Sequence, residues 1–254
     1  MLGVPLAITS YAEVADWIDA TIASGSRASV SAAAVHLVMR ARENAAVMQA
    51  VLEATLVVPD GQPLVWALHA LGHRSATRVY GPDLMAICCE RAAAAGTPMY
   101  LYGGRDEAAR AMLQAALRAR YDGIAIVGGY SPPHRELSAA EDDEAAARIE
   151  ASGAQIVWVG IGQPRQEQWM ARMRERLSAP MLAAVGAAFD FHAGLVPQAP
   201  PWMGRHGLEW CYRLAREPRR LWRRYARYNP LFITAFARQY AAERRHGGAR
   251  DSDP

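Results

Sequence analysis

The chain has 254 residues and a formal net charge of +3, and its 52% hydrophobic content is typical of globular rather than disordered proteins. It contains no lysine, so all 28 basic residues are arginines, which excludes a Walker phosphate loop and a Schiff base to a carbonyl cofactor. Apolar runs stay shorter than the roughly 18 residues of a spanning helix, and no signal-peptide pattern opens the sequence, so we expect a cytoplasmic protein.

Short apolar runs alternate with helical stretches between residues 28 and 186. The runs are continuously apolar, as in strands that are covered on both faces. The pattern therefore predicts an α/β fold, a Rossmann-like parallel sheet flanked by helices with right-handed crossovers. The clearest strands are predicted near residues 55–58, 98–102, 124–127, 155–159 and 181–185.

Glycine recurs where the predicted strands end. Ligands of open parallel sheets bind beyond the carboxyl ends of the strands, where glycine lets the backbone approach a phosphate or a sugar. Any single glycine could simply form a tight turn, and only their recurrence favours a nucleotide-sized site. The residues assigned to substrate binding here are Gly61, Tyr102, Gly103, Gly104, Gly128, Gly129, Tyr130, Gly160, Gly162, Gly186 and Asp190.

Asp60 lies between Pro59 and Gly61, directly after a predicted strand, so its carboxylate is expected at the ligand edge of the sheet. A partly desolvated carboxylate in this position can remove the proton of an attacking sugar hydroxyl. The alternative interpretation is that Asp60 caps the helix that begins near residue 62.

Arg78, Gly81 and Asp83 form a loop before a helix predicted to begin near residue 84. This loop can bring a permanent positive charge to a diphosphate. The alternative is a surface arginine beside an Asp83 that serves as the N-cap of the helix.

The stretch GIGQPRQEQW at residues 160–169 places a glycine turn after a strand and Pro164 at the start of a helix. Gln166 shares a helix face with Met170 and Met173, so its amide is expected to point inward and meet a sugar or phosphate oxygen. Pro164 and Glu167 are assigned to the same site. The stretch departs from the full dinucleotide glycine fingerprint, and the acidic ribose-binding residue expected about twenty residues later is absent. Both observations disfavour nicotinamide binding.

Beyond residue 200 the pattern changes to helices near 202–215, 218–228 and 230–245, with breaks at Pro218 and Pro230. We assign residues 1–200 to an α/β core, 201–246 to an arginine-rich helical appendage and 247–254 to a disordered tail. Residues 205–250 hold twelve arginines against three glutamates, a formal charge of +9. The basic surface available to a partner is therefore confined to the C-terminal end.

Four arginines, Arg220, Arg223, Arg224 and Arg227, fall within an arc of roughly 100° on the wheel of the helix at 218–228. Aromatic side chains occupy the other side, which suits an anionic bilayer surface or a diphosphate held there. A solvated basic face above an apolar packing face explains the same periodicity. Nucleic acid phosphates are a third possible partner.

The sequence gives little support for a metal site. Its seven histidines are scattered, and Cys88, Cys89 and Cys211 lack a zinc-ligand spacing. The only Asp-x-Asp pattern, at residues 251–253, is interpreted as solvated charge. We therefore expect no metal and no cofactor, with arginines and backbone N–H groups stabilising a departing diphosphate.

Together these residues resemble the WecG/TagA/CpsF family of bacterial glycosyltransferases over about residues 10–240. The matching motifs are LVVPDG at 56–61, RVYGPDL at 78–84, YLYGG at 100–104, VGIGQPRQE at 159–167, VGAAFD at 185–190 and GLEW at 207–210 leading into EPRRL at 217–221.

The resemblance implies an inverting, metal-independent transfer from a UDP-sugar to a sugar on a polyprenyl diphosphate, in envelope or exopolysaccharide assembly. It implies that Asp60 is the base and that Arg78 and Gln166 contact the donor or leaving group. The enzyme is expected to bind peripherally to the anionic inner face of the plasma membrane. The arginines assigned to the lipid diphosphate or the membrane are Arg213, Arg220, Arg223 and Arg224.

One departure from the family concerns the donor sugar. Members commonly carry Thr-x-Asn after the first strand, whereas this chain has Ala32 and Ala34. A buried sugar needs polar partners, so the donor is left open between an N-acetylmannosamine type and another hexose. The alternative function is a non-catalytic relative that binds a nucleotide sugar. Nucleic acid binding leaves the glycine-ended sheet unexplained, so we expect no nucleic acid partner.

Overall fold

Six parallel strands form one sheet in the computed structural model, which describes residues 1–248 of the chain. The strands are β1 (Ala28–Ala33), β2 (Leu56–Pro59), β3 (Met99–Gly103), β4 (Ile126–Tyr130), β5 (Ile156–Gly160) and β6 (Met181–Ala184). Their spatial order is β2-β1-β6-β5-β3-β4. The predicted Rossmann-like α/β fold is therefore confirmed.

Helices flank the sheet and continue beyond it. They are α1 (Tyr11–Ser24), α2 (Val35–Glu43), α3 (Ala45–Leu52), α4 (Gln62–Ala70), α5 (Gly81–Ala95), α6 (Glu107–Arg120), α7 (Ala139–Ser152), α8 (Arg165–Met173), α9 (Ala188–His192), α10 (Pro201–Arg205), α11 (Glu209–Arg216) and α12 (Pro218–Gly248).

The sheet is covered on both faces, which explains the continuously apolar strands. Leu101 and Trp158 belong to a buried cluster with side chains of α1, α5 and α6. Val157 and Leu182 belong to a second cluster with side chains of α7 and α8. Strands β1 and β6 are buried along their whole length. This burial fixes the carboxyl ends of the strands, where the candidate site lies.

Strand β4 lies at the sheet edge and differs from its predicted position. It begins two residues later than the predicted strand at 124–127 and includes the Gly128-Gly129 pair. The register of β4 with β3 shifts between Met99 and Tyr100. An edge strand is paired on one side only, so its apolar pattern is a weaker guide to its bounds.

The C-terminal helices also differ from the prediction. Helix α12 continues through Pro230, which was expected to break it. Tyr228 and Phe232, on either side of this proline, are buried with Leu37 of α2 and Leu64 of α4. This packing outweighs the loss of one backbone hydrogen bond at Pro230. Residues 247 and 248 are helical, whereas the rest of the predicted tail, including the Asp-x-Asp pattern, lies outside the described residues.

Candidate active site

Two neighbouring cavities adjoin the carboxyl ends of the strands. The first, here named the strand-end cavity, measures about 420 Å³ and lies beyond β1, β3, β5 and β6. Its wall includes Ala32, Ala34, Asp60, Tyr80, Gly104, Arg105, Gly160, Gly162, Gln163, Gly186, Phe189, Asp190, Phe191, Arg213, Glu217, Arg220 and Arg224. Ligand sites of enzymes commonly have this size and position.

The second cavity, named the aromatic groove, measures about 630 Å³ and lies between the end of β2 and helices α11 and α12. Its wall includes Ala34, His36, Asp60, Gly61, Trp66, Arg78, Gly204, Gly207, Glu209, Trp210, Arg213, Arg224, Tyr225, Tyr228, Phe232, Ile233 and Phe236. Four residues, Ala34, Asp60, Arg213 and Arg224, line both cavities. One carboxylate and two guanidinium groups therefore lie where the cavities meet.

Asp60 follows β2 and is held by the start of α5. Its backbone N–H donates to the carbonyl of Ala33 at 2.9 Å, which continues the pairing of β2 with β1. Its Oδ1 accepts a hydrogen bond from the backbone N–H of Gly81 at 2.8 Å. A side chain at Gly81 would place its Cβ 2.9 Å from the carbonyl oxygen of Val185, so only glycine fits there. The Asp60 side chain therefore holds the first residue of α5, whereas α4, the helix it was expected to cap, has Gly61 as its N-cap and no side-chain cap.

The electrostatic surroundings of Asp60 suit a base. Burial raises the pKa of this carboxyl to about 6, with Arg78 opposing the rise and Glu209 adding to it. The carboxylate is thus still ionised at neutral pH but is more basic than an exposed aspartate. Its Oδ2 makes no hydrogen bond to any residue of the described part of the chain, which leaves it able to accept a proton.

Arg78 is committed to protein contacts in the aromatic groove. Its Nε donates to the carbonyl of Asp60 at 2.6 Å, and a terminal nitrogen lies 2.5 Å from a carboxylate oxygen of Glu209. The guanidinium stacks on the ring of Tyr80, 4.1 Å from its centre. Arg78 is therefore neither a surface arginine nor a residue of the strand-end cavity, and it joins the core to α11.

Arg213 and Arg224 supply positive charge at the junction of the cavities. The Nε of each is buried and has no hydrogen-bond partner among the residues that the structure describes. Burial lowers the pKa of Arg224, and the nearby Arg213 and Arg220 guanidinium groups lower it further. Crowded cations with unpartnered N–H groups bind an anion favourably.

The other three arginines of the predicted basic face diverge in their contacts. Arg220 lines the strand-end cavity and pairs with Glu217. Arg227 pairs with Glu43 of α2. Arg223 is exposed, lies over the ring of Trp222 and lines neither cavity, because α12 turns its side chain away from both. With Arg224 at the junction of the cavities, the four arginines of the predicted face thus lie in four different environments.

Gln166 and Glu167 lie beneath the strand-end cavity and not in its wall. Both are fully buried, and Glu167 Oε1 accepts from Ser31 Oγ at 2.8 Å and from Gln166 Nε2 at 3.0 Å. Burial raises the pKa of Glu167 to about 7. A Cβ placed on Gly186 would lie 3.7 Å from Gln166 Oε1, so the pair supports the turn after β6. Neither residue lines the cavity, because Glu167, in the first turn of α8, is held by Ser31 of β1, and their direct contact with substrate stays a prediction.

Several glycines that were assigned to substrate binding have a packing role in the structure. Gly128 and Gly129 belong to β4, and a Cβ on them would lie 2.7 Å from the Tyr100 ring and 2.7 Å from Arg110. A Cβ on Gly103 would lie 2.6 Å from the backbone of the neighbouring strand β5. Glycine allows close packing at these three positions, which line neither cavity.

Four further assigned residues also lie outside both cavities. Tyr102 is buried and stacks on Trp169 with ring centres 4.0 Å apart, and Tyr130 packs beside it at 6.1 Å. Asp83 is in the first turn of α5, whose N-cap is Tyr80, and accepts from the Tyr11 hydroxyl at 3.1 Å. Pro164 precedes α8 as its N-cap. Side-chain packing against neighbouring elements, which the sequence does not show, explains these positions.

The structure adds cavity residues that sequence reasoning missed. Gln163 donates from Nε2 to the carbonyl of Ala32 at 2.6 Å. Arg105, directly after Gly104, forms two hydrogen bonds to the carboxylate of Asp190 at 3.0 and 3.2 Å. The glycine pair before Arg105 was the available signal, since a residue just beyond a strand end faces the ligand edge.

Among the described side chains, those of residues 1–245, no three of His, Cys, Asp or Glu converge as a group able to hold a metal ion. No helix in the same range combines the length and the apolarity needed to cross a membrane.

A family model described as the Glycosyl transferase WecG/TagA/CpsF family matches residues 1–246 of the chain. The match spans the whole sheet, both cavities and most of α12, so it includes every element that positions Asp60 and the junction arginines. Enzymes of this type act in cell-envelope polysaccharide synthesis. The chain therefore belongs to the WecG/TagA/CpsF family of glycosyltransferases.

Proposed function

We propose that the protein transfers a sugar from a UDP-sugar to a sugar on a polyprenyl diphosphate, with inversion and without a metal ion, at the inner face of the membrane. One observation carries the proposal. The carboxylate of Asp60 lies in the wall between two cavities, with the unpartnered N–H groups of Arg213 and Arg224 at the same junction.

The strand-end cavity is the proposed donor site. Its size suits a nucleotide, and the glycines at its wall let the ligand approach the backbone at the ends of β5 and β6. Arg105 and Arg220 lie in the same wall and supply positive charge for a leaving diphosphate. Both are paired with carboxylates, so donor binding would have to compete with Asp190 and Glu217.

The proposed reaction is a single displacement. A hydroxyl oxygen of the acceptor sugar forms a bond to the anomeric carbon while the bond from that carbon to the β-phosphate oxygen breaks, and UDP leaves with the electron pair. The hydroxyl proton passes to the carboxylate of Asp60, whose raised pKa of about 6 favours this transfer. Attack opposite to the leaving group inverts the anomeric centre.

The junction arginines are the proposed site of the acceptor diphosphate. Arg213 and Arg224 reach both cavities, so an anion bound between them would hold the acceptor beside Asp60. Exposed apolar side chains near the groove, Trp66 and Ile233 among them, would face the lipid surface. This arrangement supports peripheral membrane binding without a spanning helix.

The donor sugar is set in part by Ala32 and Ala34 at the end of β1. These small apolar side chains offer no hydrogen bond to a sugar substituent, so the part of the sugar that faces them should be apolar or should bond elsewhere. Gln163, which donates to the carbonyl of Ala32, lines the same cavity and offers an amide to the sugar.

A transfer assay with a panel of UDP-sugars and a polyprenyl-diphosphate-linked acceptor tests the proposal. The Asp60→Asn variant should lose about 100- to 10,000-fold in kcat, the usual contribution of a general base. Asp122→Asn, an exposed aspartate before β4, is the matched control and should retain activity. Undiminished turnover in Asp60→Asn would remove the base assignment, and loss of activity on chelation would remove metal independence.

The same protein preparations distinguish the transferase from the alternative function, a non-catalytic protein that binds a nucleotide sugar. A non-catalytic relative would bind UDP in calorimetry but release none from any donor and acceptor pair. The replacement of Thr-x-Asn by Ala32 and Ala34 is the observation that keeps this alternative open. Turnover with any UDP-sugar dismisses it.

A further inference from the structure

The aromatic groove changes in character along its length. Tyr228 and Phe232 of its inner wall are buried in the core cluster with α2 and α4. Trp66 is 48% exposed and Ile233 65% exposed, and both line the same groove. The groove therefore extends from a packed interior to solvent, and large apolar side chains line it throughout. An open apolar groove of this kind marks a binding site for an apolar ligand.

One wall of the groove is charged. Ala34, Asp60, Arg213 and Arg224 belong to the groove and also to the strand-end cavity. A ligand that fills the groove and reaches this wall must therefore carry an anionic group directly next to its hydrocarbon. Such an anion would accept hydrogen bonds from the buried Nε atoms of the two arginines, which have no partner among the described residues.

The groove wall is held in place by close contacts to α11. The turn before α11 places Gly207 in a left-handed conformation with φ of 65°, and a Cβ there would lie 2.5 Å from the Trp66 ring. Arg78 and Glu209 form their ion pair in the same wall. The Trp66 ring therefore packs against the backbone of the turn at Gly207, which restricts its movement. The groove is accordingly open in the absence of ligand, that is, preformed.

We propose that the aromatic groove binds the isoprenoid chain of the acceptor itself, with the first isoprene units beside Tyr225, later units toward Phe236, and the diphosphate between Arg213 and Arg224. The proposal rests on the proposed function and adds that the enzyme recognises the hydrocarbon as well as the head group. A branched chain fills a groove of about 630 Å³ more completely than a linear acyl chain of equal carbon number.

A polypeptide partner fits these observations less well. An amphipathic helix in the groove would need an acidic side chain at one end only, and the large aromatic walls would leave its backbone beside the charged junction. A prenyl diphosphate places its anion and its hydrocarbon in the required order by its covalent structure.

Calorimetry with soluble probes tests the proposal without any turnover. The probes are inorganic diphosphate, geranyl diphosphate, farnesyl diphosphate and decyl diphosphate, the last matching geranyl in carbon number. Geranyl diphosphate should bind at least about tenfold more tightly than inorganic diphosphate, since several apolar carbons leave water. Farnesyl diphosphate should bind more tightly again, and decyl diphosphate more weakly than geranyl.

Two partly exposed groove positions provide the variants, and the Tm of each variant is measured first to show that it folds. Trp66→Ala and Ile233→Asn should each lower the affinity for geranyl diphosphate by about fivefold while changing that for inorganic diphosphate less than about twofold. Leu52→Asn, an equally exposed leucine of α3 that lines neither cavity, is the matched control and should bind as the wild type does.

Three results would overturn the proposal. They are an affinity independent of chain length, equal losses of affinity for inorganic diphosphate and geranyl diphosphate in the two groove variants, and equal binding of decyl and geranyl diphosphate.

The outcome of this binding test is separate from that of the proposed transfer reaction. Chain-length-dependent binding without sugar transfer would refute only the transfer reaction, whereas transfer by variants with unchanged chain preference would refute only the groove.

Discussion

Replacement of Glu167 by glutamine should remove a large part of the pH dependence of folding stability. The carboxyl group is fully buried, and burial raises its pKa from 4.5 to about 7. The folded state therefore binds the proton more tightly than the unfolded state, so the free energy of unfolding falls as pH rises from 4.5 to about 7. At about 1.4 kcal/mol per pKa unit, the loss contributed by Glu167 is about 3 kcal/mol.

Glutamine keeps an oxygen for Ser31 Oγ and Gln166 Nε2 but places N–H donors where Glu167 Oε2 has no partner in the described chain. That cost, about 1–3 kcal/mol, does not vary with pH. The change of the free energy of unfolding with pH therefore reports on Glu167, whereas the absolute free energy of unfolding does not. Asp60 also contributes to the slope at lower pH, and it does so equally in both proteins.

Denaturant titrations of wild type and Glu167→Gln at several values between about pH 4 and pH 8 provide the measurement. The variant should lose about 3 kcal/mol less than the wild type across this range. Glu136→Gln, at an exposed position, should keep the wild-type slope. Equal slopes for wild type and Glu167→Gln would refute the argument that a buried carboxylate is ionised at a cost to stability.

Three further predictions concern the junction and the groove. The kcat/KM for transfer should fall as pH drops below about 6, because protonation of Asp60 removes the base, and a profile that stays flat to about pH 5 would contradict this. In a double-mutant cycle of Arg78→Ala and Glu209→Ala, denaturant titration should give a coupling energy of about 1–3 kcal/mol, since the pair is mostly buried, whereas additive losses would show no coupling. Gly207→Ala should lower the free energy of unfolding by about 1–3 kcal/mol, because of its left-handed backbone and the Trp66 ring, and an unchanged Tm would speak against that contact.

Much of the fold could be predicted because burial on both faces of the sheet leaves a direct signature. Runs such as 155–159 and 181–185 are apolar without alternation, and they form β5 and β6 within one residue of the predicted bounds. The end of β2 was also predicted from the sequence, which placed Asp60 at the ligand edge of the sheet. This inference holds because the carboxyl ends of parallel strands lie at the same edge of a sheet.

Other features depend on packing between distant segments and could not be derived from local pattern. Gln166 was correctly expected to point inward. Its neighbour Glu167, however, accepts a hydrogen bond from Ser31 of β1, which is distant in sequence. The glycines of β4 are explained by Tyr100 and by an arginine of α6, neither of which is near in sequence. Helix α12 passes through Pro230 because aromatic side chains on both sides of it are buried.

The aromatic groove also depends on packing between segments that are distant in sequence. Trp66 and Trp210 are separated by most of the chain and gave no shared signal in the sequence, yet both line one wall. His36 is a further groove residue that the sequence did not indicate. It lies in the same groove, edge-on to the Tyr228 ring at 5.0 Å, and burial lowers its pKa to about 3 so that it is neutral.

The central claim is that the strand-end cavity holds a uridine diphosphate with the carboxylate of Asp60 facing its phosphate end. A crystal structure of the protein with bound UDP tests this most directly. The account predicts the nucleotide beyond β5 and β6, with the terminal phosphate on the side of the cavity that Asp60 shares with the aromatic groove. A nucleotide bound outside the strand-end cavity, or an Asp60 side chain turned away from the bound phosphates, would contradict it.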